Sequence, residues 1–336
     1  MLSIFQRHPR YALFSGVALL VTFLLLASQH APPPAIVIDT FSPSEELQRR
    51  LEYSESAYRK MLRAREDLIQ KFGPARDKVL MFPPDNEPWP PYTVWDFVPA
   101  AFNCPHPVER IGALGDGGKW VCGLQRVAPK PDCVVYSVGI NHESSFEAEL
   151  LSRTSNCEVW GYDFSVESFG PEVQDDPALL SRAHFAPYGL AGTNSDGEHK
   201  MFTLQTLMAL NGHEHIDILK IDIESWEFET LASLVKPYLE SGEPLPFGQL
   251  QLEIHTWGKK FDEFLSWWEM LEAAGLRPFW TEPNLVYINY NRGSDADLAE
   301  YSFLNILGDN VFISEREFYR PRGDAHPHPP PLAQHD

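Results

Sequence analysis

Three polar side chains that could do chemistry stand at the ends of predicted strands. Asp222 and Glu224 follow the predicted strand 216–221, and His255 ends the alternating segment 249–255. The carboxyl ends of parallel strands share one edge of a sheet, where ligands bind, so we expect these side chains to converge. We predict catalytic roles for all three. His255 is the candidate general base, because an imidazole is suited to taking a proton from a hydroxyl group near neutral pH.

The same residues have other possible uses. Glu224 suits the cap of a helix predicted to begin near Trp226, and a histidine at a strand end often serves only as a hydrogen-bonded edge residue. Two carboxylates and an imidazole could also bind a divalent cation. From the sequence we assign catalytic roles to these residues and no metal.

A second set of candidates follows two earlier predicted strands. The run 134–139 is a buried strand that ends in Gly139, which lets the chain turn sharply and approach a ligand, and Asn141 lies in the same loop. Asp163 closes the next strand. Its distance in sequence from Gly139 is close to the ~20-residue spacing at which an acidic group meets ribose hydroxyls in Rossmann-type folds. We predict that Gly139, Asn141, Asp163 and Asp222 bind a cofactor. Capping of a turn is the alternative for Asp163.

Short apolar runs alternate with helical stretches, which predicts an α/β fold with a mostly parallel sheet and crossover helices. The predicted strands are 133–138, 157–162, 184–188, 216–221, 249–255, 276–280 and 301–306, and the predicted helices are 144–153, 204–211, 226–235 and 261–274. The glycine-rich segment 110–123 is interpreted as a hairpin.

The N-terminal region predicts a membrane anchor. Residues 11–28 carry no charge and, at ~1.5 Å per residue, nearly span a ~30 Å hydrocarbon layer. Arg7 and Arg10 precede this run and no lysine or arginine follows until Arg49, so the N-terminus should be cytoplasmic and the body lumenal. We predict a single-pass protein of the ER or Golgi. Cleavage of the segment and secretion is the alternative.

The domain prediction is a cytoplasmic tail at 1–10, an anchor at 11–28, a stem helix with a proline-rich linker at 29–94, an α/β domain at 95–318 and a disordered Pro/His-rich tail at 319–336. Within the stem, residues 42–72 form an amphipathic pattern, for which packing on the domain is favoured over a coiled coil. The four cysteines suit two disulfides in an oxidising lumen or four buried thiols.

Charge bears on the partners of the chain. There are 47 Asp and Glu against 27 Lys and Arg, a formal net charge of −20. Such a protein repels a phosphate backbone, so no nucleic-acid partner is expected.

Five segments carry a family resemblance: VVYSVGINHESSFE, EVWGYDFS, HIDILKIDIESWE, QLQLEIH and AGLRPFWTEPNLVYINY. In their order and spacing they resemble the methyltransferase-like protein 24 group, related to the FkbM-type methyltransferases, from about Asn103 to Leu307. The resemblance implies the Rossmann-like class I methyltransferase sheet, with helices on both faces and one antiparallel strand. Where FkbM-type sequences usually carry Glu-Gly, this chain has Glu224 followed by Ser225.

The resemblance also implies a cofactor and a reaction. S-adenosylmethionine would lie across the switch point of the sheet, with its methionine end at Gly139, its ribose at Asp163 and its methyl group beside the segment 219–224. The implied activity is methylation of a hydroxyl group on a small molecule or a glycan. There are two alternatives. One is a lumenal metal-dependent glycosyltransferase, because Asp222-Ile223-Glu224 imitates the acidic pair with which such enzymes bind a metal. The other is a non-catalytic binding protein with the methyltransferase fold.

Overall fold

The computed structural model describes residues 17, 19–22, 42–84, 88, 91–291 and 295–315. The chain divides into two compact units, Met1–Ser42 and Pro43–Asp336. In the first unit, residues 17 and 19–22 are helical. None of the helices in the described ranges is long and apolar enough to cross a membrane. The predicted anchor at 11–28 otherwise lies outside the described residues, as do the predicted tails at 1–10 and 319–336.

The second unit is built from strands and helices that alternate along most of its length. Its strands are β1 (Val108–Ile111), β2 (Lys119–Cys122), β3 (Val134–Val138), β4 (Glu158–Tyr162), β5 (Ala183–Ala186), β6 (Tyr188–Leu190), β7 (Ser195–Asp196), β8 (Lys200–Phe202), β9 (Ile216–Ile221), β10 (Phe247–His255), β11 (Leu276–Pro283) and β12 (Leu298–Asn305). Its helices are α1 (Pro43–Phe72), α2 (Leu124–Val127), α3 (Ser145–Arg153), α4 (Pro171–Gln174), α5 (Pro177–Leu180), α6 (Leu204–Asn211), α7 (Glu227–Ser241), α8 (Phe261–Ala273) and α9 (Leu285–Asn291).

Seven strands form the central sheet, in the order β11-β12-β10-β9-β3-β4-β5. β12 runs antiparallel to both of its neighbours, and the remaining pairs of the sheet are parallel. The predicted α/β sheet with one antiparallel strand is therefore confirmed. The sheet reverses its direction of growth between β3 and β9, and such a switch point opens a crevice beyond the carboxyl ends of the strands.

One predicted strand, at 184–188, is divided in the structure. β5 ends at Ala186 and β6 begins at Tyr188 in a separate three-stranded sheet with β7 and β8. Pro187 stands between them and has no N–H group to donate to a strand pair, which accounts for the break.

The predicted hairpin is confirmed as the antiparallel pair β1 and β2. It covers one face of the central sheet. The side chain of Gln249 on β10 accepts from Cys122 N at 3.0 Å and donates to Cys122 O at 2.5 Å. Ser302 Oγ on β12 donates to Trp120 O at 2.8 Å. The polar face of β10 is buried beneath this hairpin, and its apolar face packs into the main core.

Helix α1 packs against the α/β elements. This is the arrangement that the sequence analysis favoured over a coiled coil. Tyr58 and Arg65 are buried on its inner face, and both contact Glu272 of α8. Two polar residues, Ser54 and Arg65, interrupt the apolar side of the helix, and each makes a specific polar contact. Ser54 Oγ donates to Asn103 O at 2.9 Å.

All four cysteines form disulfide bonds, Cys104 with Cys122 and Cys133 with Cys157. The first bond ties the segment before β1 to the end of β2. The second ties together the residues that precede the neighbouring strands β3 and β4. Of the two possibilities that the sequence left open, the structure has the disulfides.

Candidate active site

The carboxyl edge of the sheet brings together the loops that follow β3, β4, β9 and β10. The loop after β3 begins at Gly139, whose φ of 82° requires the freedom of glycine. A Cβ atom at Gly139 would collide with the carbonyl oxygen of Asp222, the residue that follows β9. Lys220 Nζ donates to Gly139 O at 2.8 Å. The first loop is therefore packed directly on the end of β9.

Asp163, which follows β4, shapes this loop. Its Oδ2 accepts from Ile140 N at 2.8 Å and Asn141 N at 2.9 Å. Its Oδ1 accepts from both the N–H and the hydroxyl of Ser165, each at 2.7 Å. Burial alone would raise the pKa of Asp163, but these hydrogen bonds lower it below the usual value for an aspartate. Asp163 therefore caps the turns of this loop system, which was the alternative to the predicted ribose site.

Asn141 and His142 continue the loop in a left-handed conformation, with φ of 41° and 66°. Such values are uncommon for residues with a Cβ atom and often mark a functional loop. The structure therefore places Gly139, Asn141 and Asp163 in one connected loop system, and their binding of a cofactor stays a prediction.

The three candidates for catalysis also converge. Asp222, Glu224 and His255 each offer an oxygen or nitrogen atom, and these atoms all lie within 4.8 Å of one another. His255 is buried, Asp222 is half-buried and Glu224 is exposed. His255 Nε2 lies 3.7 Å from Glu224 Oε2. This arrangement could hold an acceptor hydroxyl or a cation at the carboxyl edge of β9 and β10.

Glu227, at the start of α7, is a member of this site that the sequence interpretation missed. It is fully buried, and its Oε1 accepts from His255 N at 2.7 Å and lies 3.3 Å from His255 Nδ1. Burial would lower the pKa of His255, but the carboxylates of Glu227, Asp222 and Glu224 outweigh it and raise that pKa. The signal was present in the motif IDIESWE, whose last glutamate precedes an apolar helical stretch.

A row of carboxylates extends from the site beneath the hairpin. Glu253 on β10 is paired in register with Glu300 on β12, and Glu300 in turn with Glu282 on β11. Burial, together with the charge of Asp222, raises the pKa of both Glu253 and Glu300. Lys119 of β2 forms an ion pair with Glu300. The sequence interpretation missed these residues too, although the alternation of Gln249, Gln251, Glu253 and His255 marks one polar face of the strand.

A family model described as a methyltransferase domain matches residues 78–294. The chain belongs to this methyltransferase family. The match spans β1 to β11 and therefore includes both candidate loops and the cluster of Asp222, Glu224 and His255. It confirms the family-level resemblance stated from the sequence. No curated protein shows detectable similarity to this methyltransferase.

Several solved structures with a similar fold are methyltransferases or fibrillarin. The fibrillarin pre-rRNA processing protein of Methanococcus jannaschii is 11% identical over 53% of this chain and 68% of its own, with a TM-score of 0.32. The methyltransferase FkbM from Methylobacillus flagellatus KT is 13% identical over 51% of this chain and 44% of its own, with a TM-score of 0.32. An O-methyltransferase family 2 protein from Planctomyces limnophilus is 13% identical over 61% of this chain and 58% of its own, with a TM-score of 0.30. Likenesses this weak carry no argument about activity.

Proposed function

We propose that this methyltransferase domain transfers a methyl group from S-adenosylmethionine to a hydroxyl oxygen of a small molecule or glycan. The supporting observation is that the candidate cofactor loop at Gly139 directly contacts the candidate catalytic cluster at Asp222. The loop at Gly139 packs on the backbone of Asp222, whose side chain belongs to the cluster with Glu224 and His255. A cofactor on the loop and an acceptor on the cluster would be neighbours, and methyl transfer depends chiefly on such alignment.

The residues at the edge fit the cofactor in two respects and differ from expectation in one. The carboxylates of Asp222 and Glu224 suit the positive charge of a sulfonium group. The glycine at 139 keeps the backbone of the first loop free of a side chain. Asp163 already accepts four hydrogen bonds, as many as a carboxylate has lone pairs, so a ribose diol would have to replace a donor such as Asn141 N–H.

When bound, S-adenosylmethionine supplies a methyl group on a good leaving group, and the protein must orient the acceptor and help remove its proton. Asp222, Glu224 and His255 are the groups at the edge that can do both. With its proton removed, the acceptor oxygen would be free to form a bond to the methyl carbon, and the electron pair of the broken carbon–sulfur bond would stay on sulfur.

Binding of S-adenosylhomocysteine to the purified full chain, measured by calorimetry, tests the cofactor assignment. We expect binding without added metal and a loss of about tenfold in affinity for Asp163→Asn, since an amide cannot accept all four hydrogen bonds that shape the loop. Asp175→Asn, at an exposed position, is the matched control and should bind as wild type does. Absence of binding to the wild type, or binding of a nucleoside diphosphate with Mn²⁺ instead, would overturn the proposal.

Activity is tested by the release of labelled methyl groups onto a panel of sugars, glycans and phenols. We expect His255→Ala to lower kcat while leaving the affinity for S-adenosylhomocysteine unchanged, because His255 lies on the acceptor side of Asp222. Methyl transfer to nitrogen or to a carboxylate would exclude the hydroxyl assignment. Cofactor binding with no transfer to any acceptor would favour the non-catalytic binding protein.

Two finer assignments accompany this proposal. The five segments quoted above support membership of the methyltransferase-like protein 24 group within the family. The charge-free run 11–28 with its basic N-terminal flank, and the two disulfide bonds, support an anchored protein whose catalytic domain is lumenal.

A further inference from the structure

Three groups of metal-binding type meet beyond β9 and β10. One atom each from Asp222, Glu224 and His255 lies within 4.8 Å of the other two. Ligands that share a cation at ~2.0–2.2 Å lie within about 4.4 Å of one another. The Glu224 side chain is 72% exposed and free to change rotamer, so a small movement brings the three atoms into that range. The geometry is close to that of a three-ligand metal site.

The orientation of His255 supplies a second, independent observation. The side chain is 1% exposed, and its Nε2, which faces the cluster, makes no hydrogen bond to the described residues. The fully buried carboxylate of Glu227 lies 3.3 Å from Nδ1 and attracts the ring N–H to that side. The lone pair of Nε2 is then directed toward Glu224. Histidines that bind metals commonly pair their other nitrogen with a carboxylate in this way.

In the neutral tautomer with its N–H on Nδ1, the His255 ring finds no donor for Nε2 at the cluster. Nε2 and Glu224 Oε2 are 3.7 Å apart, which is too long for a hydrogen bond. With the N–H on Nδ1, Nε2 and the two carboxylates are all acceptors, with no donor between them. A cation between them would satisfy all three.

The charges around the cluster lead to the same inference. Among the ion pairs of the described residues, none joins Asp222 or Glu224 to a lysine or an arginine. Lys119 pairs with Glu300, and Lys220 donates to Gly139 O and lies 3.7 Å from Glu147. No lysine or arginine of the described residues is therefore paired directly with the carboxylates of Asp222 and Glu224.

We propose that Asp222, Glu224 and His255 bind a divalent cation, and that this cation holds the acceptor hydroxyl of the methyl transfer. The second half rests on the proposed function. A mixed set of carboxylate oxygens and an imidazole nitrogen suits Mn²⁺ or Zn²⁺, and three protein ligands leave positions open for an acceptor.

The cation takes over the task that the sequence suggested for His255 as general base. A hydroxyl on a divalent cation is more acidic, so its proton is released to water. The oxygen then attacks the methyl carbon as described above, and S-adenosylhomocysteine leaves with the electron pair on sulfur. His255 acts as a ligand in this arrangement, and Glu227 is the positioning residue that orients it.

Binding of Mn²⁺ alone to the metal-depleted full chain, followed by the electron paramagnetic resonance signal of free Mn²⁺, tests the site. We expect the wild type to bind one equivalent. Glu224→Gln, which changes an exposed side chain and should leave the fold intact, is expected to weaken the affinity by more than about tenfold. His255→Ala should do the same. Glu240→Gln, an identical change at an exposed position of α7, is the control and should bind Mn²⁺ as wild type does.

Two results would overturn the inference. One is the absence of Mn²⁺ binding, and of Zn²⁺ binding in a parallel titration with a colorimetric chelator. The other is equal affinity for Mn²⁺ in wild type and Glu224→Gln. Because Mn²⁺ is titrated without cofactor and S-adenosylhomocysteine without metal, a failure of the metal site is distinguishable from a failure of the proposed methyl transfer.

Discussion

The residue pair Glu224 and Ser225 stores backbone strain beside the site. Their φ values of 52° and 70° both lie in the left-handed region, which costs a residue with a Cβ atom about 1–2 kcal/mol. FkbM-type sequences usually have glycine at the second of these positions, where the structure requires a positive φ. The turn therefore imposes backbone strain on Ser225, because this chain has no glycine at that position.

Ser225→Gly should raise the free energy of unfolding by about 1 kcal/mol, since relief of the left-handed strain exceeds the added flexibility of glycine in the unfolded chain. Urea denaturation measures the change. Ser225→Ala keeps the Cβ atom and is expected to give no gain. Equal stability of the glycine and alanine variants would show that the turn is not strained.

Asp217, at the amino end of β9, makes stability depend on pH. The side chain is buried, its Oδ2 accepts from Val134 N at 2.9 Å, and Lys130 Nζ lies 3.2 Å away. Burial raises the pKa of Asp217, and the charges of Lys130 and His215 offset this only in part. Because the folded pKa exceeds the unfolded value, the free energy of unfolding falls as the pH rises from the unfolded pKa through the folded one.

Asp217→Asn removes this proton-binding group. The stability of the variant relative to wild type should therefore rise as the pH is raised from about 4 toward neutrality, measured by urea denaturation at several pH values. A relative stability that is constant over this range, or that falls, would contradict the raised pKa.

At the residue scale, the sequence predicted which side chains converge where each follows directly from a strand end. Asp222, Glu224 and His255 come together because β9 and β10 are neighbours and parallel. Glu227 could not be placed in the same way, since its carboxylate reaches His255 only through the packing of α7 against the end of β10. The four hydrogen bonds of Asp163 likewise depend on two loops that are distant in sequence.

At the scale of elements, helix α1 is held to α8 by a buried ion pair. Arg65 Nη2 lies 2.6 Å from Glu272 Oε1, and the two side chains are 2% and 10% exposed. Arg65 Nε also donates to Phe97 O at 2.7 Å. Sequence periodicity predicted the helix, but a buried arginine in its seam looked like an interruption until its partner was known.

Arg65→Ala should destabilise the protein by about 3–5 kcal/mol, because it leaves the carboxylate of Glu272 buried without its positively charged partner. Thermal and urea denaturation would measure the loss. Arg63→Ala, two positions away on the exposed face of the same helix, should change stability by less than about 0.5 kcal/mol. Equal effects of the two substitutions would mean that α1 is not anchored through Arg65.

The order of the strands in the sheet is the feature that sequence periodicity did not predict. β12 inserts between β10 and β11, so that the last strand in sequence is internal to the sheet. Periodicity identified these strands as extended segments, and only the family resemblance implied one antiparallel strand. Nor did the alternation in β10 reveal that the hairpin of β1 and β2 would bury its polar face.

At the scale of the whole molecule, the two disulfide bonds bear on the proposed lumenal location of the domain. Disulfides persist in oxidising compartments and are rare in the cytosol. The cysteines all lie within the α/β unit, and Cys133 and Cys157 join its neighbouring strands β3 and β4. A lumenal domain should therefore contain both bonds in the cell.

We expect protein that is alkylated in intact cells without a reductant to carry no modified cysteine, and protein that is reduced first to carry modifications at all four, as read by mass spectrometry. A double change, Cys133→Ser with Cys157→Ser, should leave two modified cysteines after reduction and cost about 3 kcal/mol of stability, because the unfolded chain loses the constraint of a closed loop. Modification of all four cysteines without reduction would place the domain in a reducing compartment. It would contradict the lumenal orientation that the basic flank of residues 11–28 predicts, whatever the outcome of the binding experiments at the carboxyl edge.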